Sequence, residues 1–195
     1  LDHLANVCAV CLENAINRAR LVRSGLTDVL TGWSNRRYLQ SRLGEELARA
    51  QREGAPLSCL LMDVDHFKRV NDTHGHLAGD RVLREIADRV EMEIRASDVA
   101  ARYGGEEFAL LLPDTRADDA QILAERIRVA VSGEPVALES GESLAVTVSI
   151  GISAVCPPRG VDDLKSLGEK LIAEADVQLY RAKSDGRNRV RWDAA

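Results

Sequence analysis

Gly104-Gly105-Glu106-Glu107-Phe108 places two glycines ahead of two acids and an aromatic residue, between two short apolar runs. Residues 99–103 before this stretch and residues 107–112 after it have the composition of β-strands. A Gly-Gly pair between two strands predicts a tight hairpin turn. The stretch therefore predicts a β-hairpin with glutamates at its bend.

Further predicted elements surround this hairpin. Residues 35–53 have helical periodicity, and the apolar run 57–62 that follows Gly54 and Pro56 predicts a buried strand. The patterns also predict helices over 79–95, 117–132 and 161–183, and strands over 144–154 and 189–192. This order predicts an α+β fold, a split β-α-β-β-α-β (ferredoxin-like or palm-like), mainly antiparallel central sheet covered by helices.

The first residues carry a different pattern. Apolar or small residues recur near a heptad spacing over residues 1–22, which predicts a coiled-coil-prone helix. A connector to an upstream domain and an amphipathic helix packed on the body both remain open. Because the sequence starts without Met and inside this pattern, we expect part of a longer protein with an upstream sensor domain. We divide the chain into an N-terminal connector helix over 1–25 and a globular domain over 26–195.

Composition excludes several classes of function. The 195 residues carry a net charge of -5 and only 4% aromatic residues, so we expect no nucleic-acid partner. No apolar run approaches the roughly 20 residues that span a bilayer, and no signal-peptide pattern is visible, so we expect a cytoplasmic segment without membrane contact. Cys8 and Cys11 have half of a zinc-site spacing, but on a helix that spacing is typical of packing.

Acidic residues follow the predicted buried strand. Asp63 comes directly after that strand and Asp65 two residues later, so the pleat directs both carboxylates to one side unless the chain turns at Val64. If the hairpin lies beside this strand, Glu106 and Glu107 converge on Asp63. Clustered carboxylates repel one another unless a cation holds them, and hard oxygen ligands favour Mg²⁺. This combination is typical of phosphoryl or nucleotidyl transfer.

Each motif alone is common among turns and helix caps, but their combination is specific. Together the motifs resemble the GGDEF family of diguanylate cyclases, in the Gly-Gly-Glu-Glu-Phe variant, over residues 26–192. The stretches that carry the resemblance, besides the signature turn, are Thr27-Asp28-Val29-Leu30-Thr31-Gly32, Asn35-Arg36-Arg37, Asp63-Val64-Asp65-His66-Phe67-Lys68, Asn71-Asp72, Gly75-His76, Gly79-Asp80, Thr147-Val148-Ser149-Ile150-Gly151, Ala175-Asp176, Ala182-Lys183 and Gly186-Arg187-Asn188.

The resemblance implies an activity and a metal site. The family joins two GTP molecules into cyclic di-GMP and releases two pyrophosphates, and it needs a homodimer because each domain holds one GTP. It implies Mg²⁺, with Mn²⁺ as a possible substitute, bound by Asp63, the Val64 carbonyl and Glu106, with Glu107 joining a second ion. Glu106 and Glu107 are the implied catalytic residues, and Glu106 as the general base is a hypothesis.

The resemblance also implies substrate contacts. It places guanine recognition at Asn71 and Asp80, and further nucleotide and phosphate contacts at His76, Lys68, Gly104, Gly105, Lys183 and Arg187. Simpler interpretations stay open for some of these residues. Asp80 suits a helix cap, and Lys183 with Arg187 suits a basic last helical turn.

Arg95-Ala96-Ser97-Asp98 lies just ahead of the signature turn. In the family, an Arg-x-x-Asp at this offset is the inhibitory product site, so the resemblance implies feedback inhibition by cyclic di-GMP through Arg95 and Asp98, with Arg126 as a secondary contact. Arginine pairs with phosphate or stacks on guanine, and aspartate accepts from the guanine edge.

Other functions remain as alternatives. A catalytically inactive member could act as a GTP or cyclic di-GMP receptor, although the complete set of acids favours an enzyme. A related palm-like cyclase making a one-nucleotide product would have similar acids, whereas a structural dimerisation module leaves those acids unexplained. The departures from the family pattern are few: Trp33 stands where an aliphatic residue is commoner, and the strand before the turn is Val99-Ala100-Ala101.

Overall fold

The computed structural model describes residues 25–160 and 162–193. The predicted connector helix, apart from its last residue, and the Cys8 and Cys11 pair lie outside the described residues. No described helix has the length and apolar character that crossing a membrane requires.

Helices and strands are interspersed along the described chain. The helices are α1 (Arg36–Glu53), α2 (Phe67–His74), α3 (His76–Glu91), α4 (Ala117–Gly133) and α5 (Leu164–Ser184). The strands are β1 (Ser34–Asn35), β2 (Leu57–Val64), β3 (Val99–Arg102), β4 (Glu107–Pro113), β5 (Val136–Ala137), β6 (Ser143–Leu144), β7 (Val148–Val155) and β8 (Val190–Trp192). The predicted α+β class is confirmed.

One sheet organises the domain. Its six strands run in the order β1-β3-β4-β2-β7-β8, and β5 pairs with β6 in a separate ribbon. The pairs of β2 with β4, β2 with β7 and β3 with β4 are antiparallel, whereas the edge strands β1 and β8 pair in parallel with β3 and β7. The predicted hairpin is β3-β4, and its second strand lies directly beside β2.

Strand β2 lies at the centre because both of its faces are apolar. All of its residues are buried, which is the pattern of a strand covered on both sides. Leu60 and Met62 belong to a core that also contains residues of α3 and α4. Cys59 and Leu61 belong to a second core with residues of α1 and α5. By alternation, Asp63 at the end of β2 faces the side of α1 and α5.

The structure corrects several predicted boundaries. The helix predicted from residue 79 begins at His76, and α2 was missed because its eight residues are too few for a clear periodic pattern. The strand predicted over 144–154 divides into β6 and β7. The helix predicted from residue 161 begins at Leu164, where the Asp163 carboxylate caps it by accepting the Ser166 N–H at 2.9 Å. The short strands β1 and β5 were also missed.

Gly151 of β7 allows α5 to lie against the sheet. A Cβ at this position would overlap the Ala175 carbonyl oxygen and the Leu179 nitrogen, both backbone atoms of α5. Backbone atoms in a packed helix cannot rotate away as a flexible side chain can. The distance between β7 and α5 therefore depends on the missing side chain at this position.

We expect Gly151→Ala to lower the free energy of unfolding by about 3 kcal/mol, the upper part of the usual range for overpacking. Gly44→Ala is the matched control, because Gly44 lies in the middle of α1 with nothing within 4 Å of an added Cβ. This control should raise stability by about 0.5–1 kcal/mol through helix propensity. Urea unfolding of both variants measures the difference, and equal stabilities would contradict the close approach.

Candidate active site

The acidic centre lies where β2 meets β4. Asp63 is directly opposite Glu107 of β4, and the Val64 N–H donates to the Glu106 carbonyl oxygen at 3.2 Å. Directly opposed residues on antiparallel strands have Cβ atoms about 5 Å apart. The predicted proximity of these acids is confirmed by the strand register, whereas their roles stay predictions.

Lys183 joins this centre from the end of α5. Its Nζ lies 2.8 Å from Asp63 Oδ2, and the Asp63 side chain is only 7% exposed. Burial raises the pKa of Asp63 to about 6, and the charges of Glu106 and Glu107 act in the same direction against the lowering effect of Lys183. The ammonium group therefore offsets only part of the cost of keeping the Asp63 carboxylate ionised, and further positive charge would stabilise it.

A divalent cation fits this requirement in part. Among residues 25–160 and 162–193, no group of three or more His, Cys, Asp or Glu side chains could hold a metal ion on its own. The expected set needs only two carboxylates, from Asp63 and Glu106, and the Val64 carbonyl. Mg²⁺ commonly binds one or two carboxylates and completes its shell with water and substrate phosphates. The residues present therefore fit a cation that arrives with a phosphorylated ligand.

The glycines of the turn have a steric role. Neither Gly104 nor Gly105 has a positive φ, so the turn does not need glycine for its backbone conformation. A Cβ on Gly104 would instead overlap the Glu107 carboxylate, whereas a Cβ on Gly105 would meet nothing within 4 Å. Gly104 thus provides the space in which the Glu107 carboxylate lies.

Arg102 fixes the same turn, and the sequence reasoning assigned it no role. Its Nη2 donates to the Gly105 carbonyl oxygen at 2.6 Å, and its Nη1 lies 3.1 Å from Asp28 Oδ2. Burial raises the pKa of Asp28, but hydrogen bonds from Thr31 and the Arg102 charge outweigh it and hold the pKa below its usual value. The turn is therefore tied to the segment before β1, across 74 residues that no sequence spacing links.

Aromatic contacts complete the support of the turn. Trp33 and Phe108 are buried and pack edge to face, with ring centroids 5.4 Å apart. The unusual Trp33 is thus a core residue that holds the end of the signature stretch. The Arg36 guanidinium lies 4.5 Å from the centre of the Tyr103 ring on the other core.

The predicted guanine-reading residues lie on adjoining helices. Gly75 connects α2 to α3 and donates its N–H to the Asn71 carbonyl oxygen at 2.9 Å. A Cβ on Gly79 would overlap the Asn71 side-chain amide, so this glycine leaves room for Asn71 beside Asp80. The cap interpretation of Asp80 is wrong, because α3 begins at His76 and its N-cap is Gly75.

The other predicted contact residues lie on α2, at the start of α3 and near the end of α5. His76 is exposed at the first position of α3, and Lys68 is exposed on α2. Arg187 is exposed after the end of α5, with its N–H donating to the Ala182 carbonyl oxygen at 3.0 Å. Lys183 does lie in the last turn of α5, as the simpler interpretation states, and it also pairs with Asp63.

Asp65 is not part of the acidic centre. Its carboxylate is buried and accepts hydrogen bonds from Thr147 Oγ1 at 2.6 Å, Ser149 Oγ at 2.7 Å and the Asn188 N–H at 3.0 Å. These donors satisfy negative charge that would otherwise add to the end of β2. The sequence left open whether Asp65 shares a side with Asp63 or the chain turns at Val64, and these bonds show that the Asp65 carboxylate has donors of its own.

The Arg-x-x-Asp stretch forms a tight turn before β3. The Arg95 N–H donates to Asp98 Oδ2 at 2.8 Å, while Asp98 Oδ1 is buried without a hydrogen-bond partner. Arg126 of α4 lies 2.5 Å from Glu93 Oε2, beside a groove of about 580 Å³. The structure thus brings the predicted secondary contact next to the segment that leads into the turn.

Comparison with known proteins gives a consistent family. The sequence model described as "Diguanylate cyclase, GGDEF domain" matches residues 25–189. The response regulator PleD of Caulobacter vibrioides is 48% identical over 195 residues, which cover 100% of this chain and 39% of PleD. The diguanylate cyclase DgcP of Pseudomonas aeruginosa is 44% identical over 168 residues, which cover 86% of this chain and 24% of DgcP. The chain therefore spans less than half the length of these curated relatives.

Solved structures agree with the sequence relatives. The coiled coil and GGDEF domain of DgcB from Caulobacter crescentus, in complex with c-di-GMP, superposes with a TM-score of 0.81 at 34% identity. The match covers 98% of this chain and 98% of the DgcB chain. The sequence relatives and this structure thus agree on the same family.

Proposed function

The chain belongs to the GGDEF-domain family of diguanylate cyclases, and on this premise we propose that it condenses two GTP molecules into cyclic di-GMP. Two pyrophosphates leave in the reaction. The observation that carries the proposal is the buried Asp63 beside Glu107 and the Glu106 backbone, with Lys183 as its cationic partner. Opposed acids of this kind suit a substrate that brings a cation with its phosphates.

We assign the binding of the metal and of the triphosphate to residues around Asp63. Asp63, the Val64 carbonyl and Glu106 would hold Mg²⁺ or Mn²⁺, with Glu107 next to them. Such a cation supplies charge neutralisation on the triphosphate and lowers the cost of forming a 3′-alkoxide. Lys183 and Arg187 hold the triphosphate as local positive charges in a domain whose net charge is -5.

We assign the recognition of guanine to residues of α2 and α3. Guanine presents N1–H and N2–H₂ donors, which a carboxylate such as Asp80 accepts, and the Asn71 amide can both donate and accept. Gly79 keeps space for the Asn71 side chain beside Asp80. His76 and Lys68 flank the nucleotide, while Gly104 and Gly105 leave the turn open for it.

The chemistry requires two copies of the chain. Each 3′-hydroxyl attacks the α-phosphate of the other nucleotide, and one domain binds one GTP. A homodimer must therefore bring two acidic centres face to face. An upstream sensor domain that controls this meeting agrees with the larger size of PleD and DgcP.

An inactive receptor is the second candidate. It rests on the likeness to DgcB, whose structure contains c-di-GMP. A receptor needs no cation at Asp63. The opposed acids, and the space that Gly104 leaves for the Glu107 carboxylate, therefore favour the enzyme. A cyclase with a one-nucleotide product shares the acids and differs in the mass of its product.

Feedback inhibition by the product is part of the proposal. Asp98 is half-buried next to Arg95, and its carboxylate is the kind of acceptor that a guanine edge requires. Arg95 is exposed beside it and Arg126 lies near the same segment. The three residues therefore support a guanine and phosphate site outside the active site.

Incubation of the 195-residue chain with GTP and Mg²⁺ at several protein concentrations tests the function. We expect cyclic di-GMP, identified by mass, at a rate that rises faster than linearly with protein concentration, because two protomers must meet. Glu106→Gln should lower kcat about 100-fold or more by weakening cation binding. Glu169→Gln on exposed α5 surface is the matched control and should keep the rate. A linear rate from a persistent monomer, or a one-nucleotide product, would contradict the proposal.

Arg95→Ala tests the inhibitory site. We expect the inhibition constant of cyclic di-GMP to rise about tenfold or more, since charge-assisted hydrogen bonds to the product are lost. Initial rates at increasing product concentration measure that constant for each protein. Arg52→Ala, in the last turn of α1, is the charge-matched control and should leave inhibition unchanged. Equal inhibition of the Arg95 variant and the unaltered protein would refute this assignment.

A further inference from the structure

Asp65 links two segments that are far apart in the sequence. Its carboxylate accepts two hydroxyl donors from the strand region around β7, and its own N–H donates to the Thr147 carbonyl oxygen at 2.9 Å. The third donor to the carboxylate is the backbone N–H of Asn188, 3.0 Å away and 123 residues later. This last bond connects the end of β2 to the loop after α5.

That loop has a backbone that is costly to form. Gly186, Arg187 and Asn188 have φ values of 114°, 63° and 46°, and two of these residues have side chains. A left-handed conformation in a non-glycine residue costs about 1–3 kcal/mol and persists only where surrounding contacts impose it. Asn tolerates this region better than most residues, so the greater cost falls on Arg187.

Backbone bonds hold the two ends of the loop: the Arg187 N–H donates to the Ala182 carbonyl oxygen at 3.0 Å, and the Ile150 N–H donates to the Arg189 carbonyl oxygen at 2.9 Å. Two further bonds restrain Asn188 between these ends. Arg128 Nη1 donates to Asn188 Oδ1 at 2.9 Å on the surface, and the Asn188 N–H donates to the buried Asp65 carboxylate. A hydrogen bond to an ionised, buried acceptor is about twice as strong as a neutral one. Asp65 therefore makes the stronger of these two contacts with Asn188, at the middle of the loop.

We propose that Asp65 is a positioning residue, which holds the Lys183 to Arg187 end of α5 against the acidic centre so that both cations meet the substrate phosphates. Asp65 follows Asp63 by two residues, so its bond to Asn188 ties the loop that carries Arg187 to the strand end that carries Asp63. Loss of this bond lets the loop relax and moves Arg187 away from the triphosphate. The inference rests on the proposed use of GTP.

Asp65→Ala and Asp65→Asn separate positioning from charge. The alanine variant removes the acceptor and should raise the KM for GTP about tenfold while kcat changes less than about threefold. The asparagine variant keeps one oxygen for the Asn188 N–H and loses the charge, so it should restore KM to within about threefold of the unaltered protein. The loss of a negatively charged cation ligand would be rescued much less by a neutral amide oxygen.

Ser153→Ala is the matched control. Ser153 Oγ lies on β7 and donates to the Leu171 carbonyl oxygen of α5 at 2.6 Å, so its loss removes one buried hydrogen bond that holds α5 to the sheet but does not reach the loop after α5. The control should lower stability without raising KM. All rates are measured on the full chain, at a temperature well below the unfolding midpoint of each variant.

The outcomes distinguish the two proposals. If the unaltered chain makes no cyclic di-GMP, the proposed function fails. If it does, an unchanged KM in Asp65→Ala, an equal loss in Asp65→Asn, or an equal KM rise in Ser153→Ala overturns the role of Asp65. Should Asp65→Ala not fold, hydrogen exchange of the unaltered protein decides: the Asn188 amide should be protected like that of Ile150 in β7, and fast exchange overturns the inference.

Discussion

The ion pair between Lys183 Nζ and Asp63 Oδ2, 2.8 Å long, joins the two sides of the site and depends on the packing of the whole domain. Asp63 reaches its position because β2 is buried at the centre of the sheet, between β4 and β7. Lys183 reaches its position because α5 lies close over β7, where Gly151 has no side chain. A change in either packing distance would separate the two charges.

The electrostatics of this pair explain why the site suits a cation with a phosphorylated ligand. Burial raises the pKa of Asp63 to about 6, the nearby Glu106 and Glu107 charges add to this effect, and the Lys183 ammonium group opposes it. The Lys183 ammonium group therefore neutralises only part of the negative charge of these acids. Among the described residues, no group of His, Cys, Asp or Glu side chains provides a complete set of metal ligands. A divalent cation would add the missing positive charge, and the phosphates of the substrate would complete the ligand set of that cation.

Much of the fold could be predicted because its elements have long, regular patterns. The 18-residue helix Arg36–Glu53 ends at Gly54, and the apolar strand Leu57–Val64 is bounded by clear breakers, so both were predicted within two residues. The helix Phe67–His74 was missed because eight mostly polar residues carry too short a period. The local sequence pattern therefore predicted the long elements that form the core, but not the small helix that carries Asn71.

The candidate site was predictable as a set of residue types and much less as a set of contacts. The acids at Asp63 and Glu107 follow from strand ends and a turn, which are local signals. The Arg102 contact with Asp28 joins residues 74 positions apart, and the Asp65 contact with Asn188 joins residues 123 positions apart. No sequence pattern indicates either contact. The side on which Asp65 lies stayed open, because the strand pleat alone cannot show that hydroxyl and amide donors already surround its carboxylate.

The central claim is that Asp63 and Glu106 bind a divalent cation together with the triphosphate of GTP. Crystals of the chain with Mn²⁺ and a non-hydrolysable GTP analogue give an anomalous difference map that locates the metal directly. The account predicts a Mn²⁺ peak in contact with both carboxylates and with phosphate oxygens of the analogue. An ordered analogue with Lys183 still bound to Asp63 and no Mn²⁺ peak at that carboxylate would contradict it.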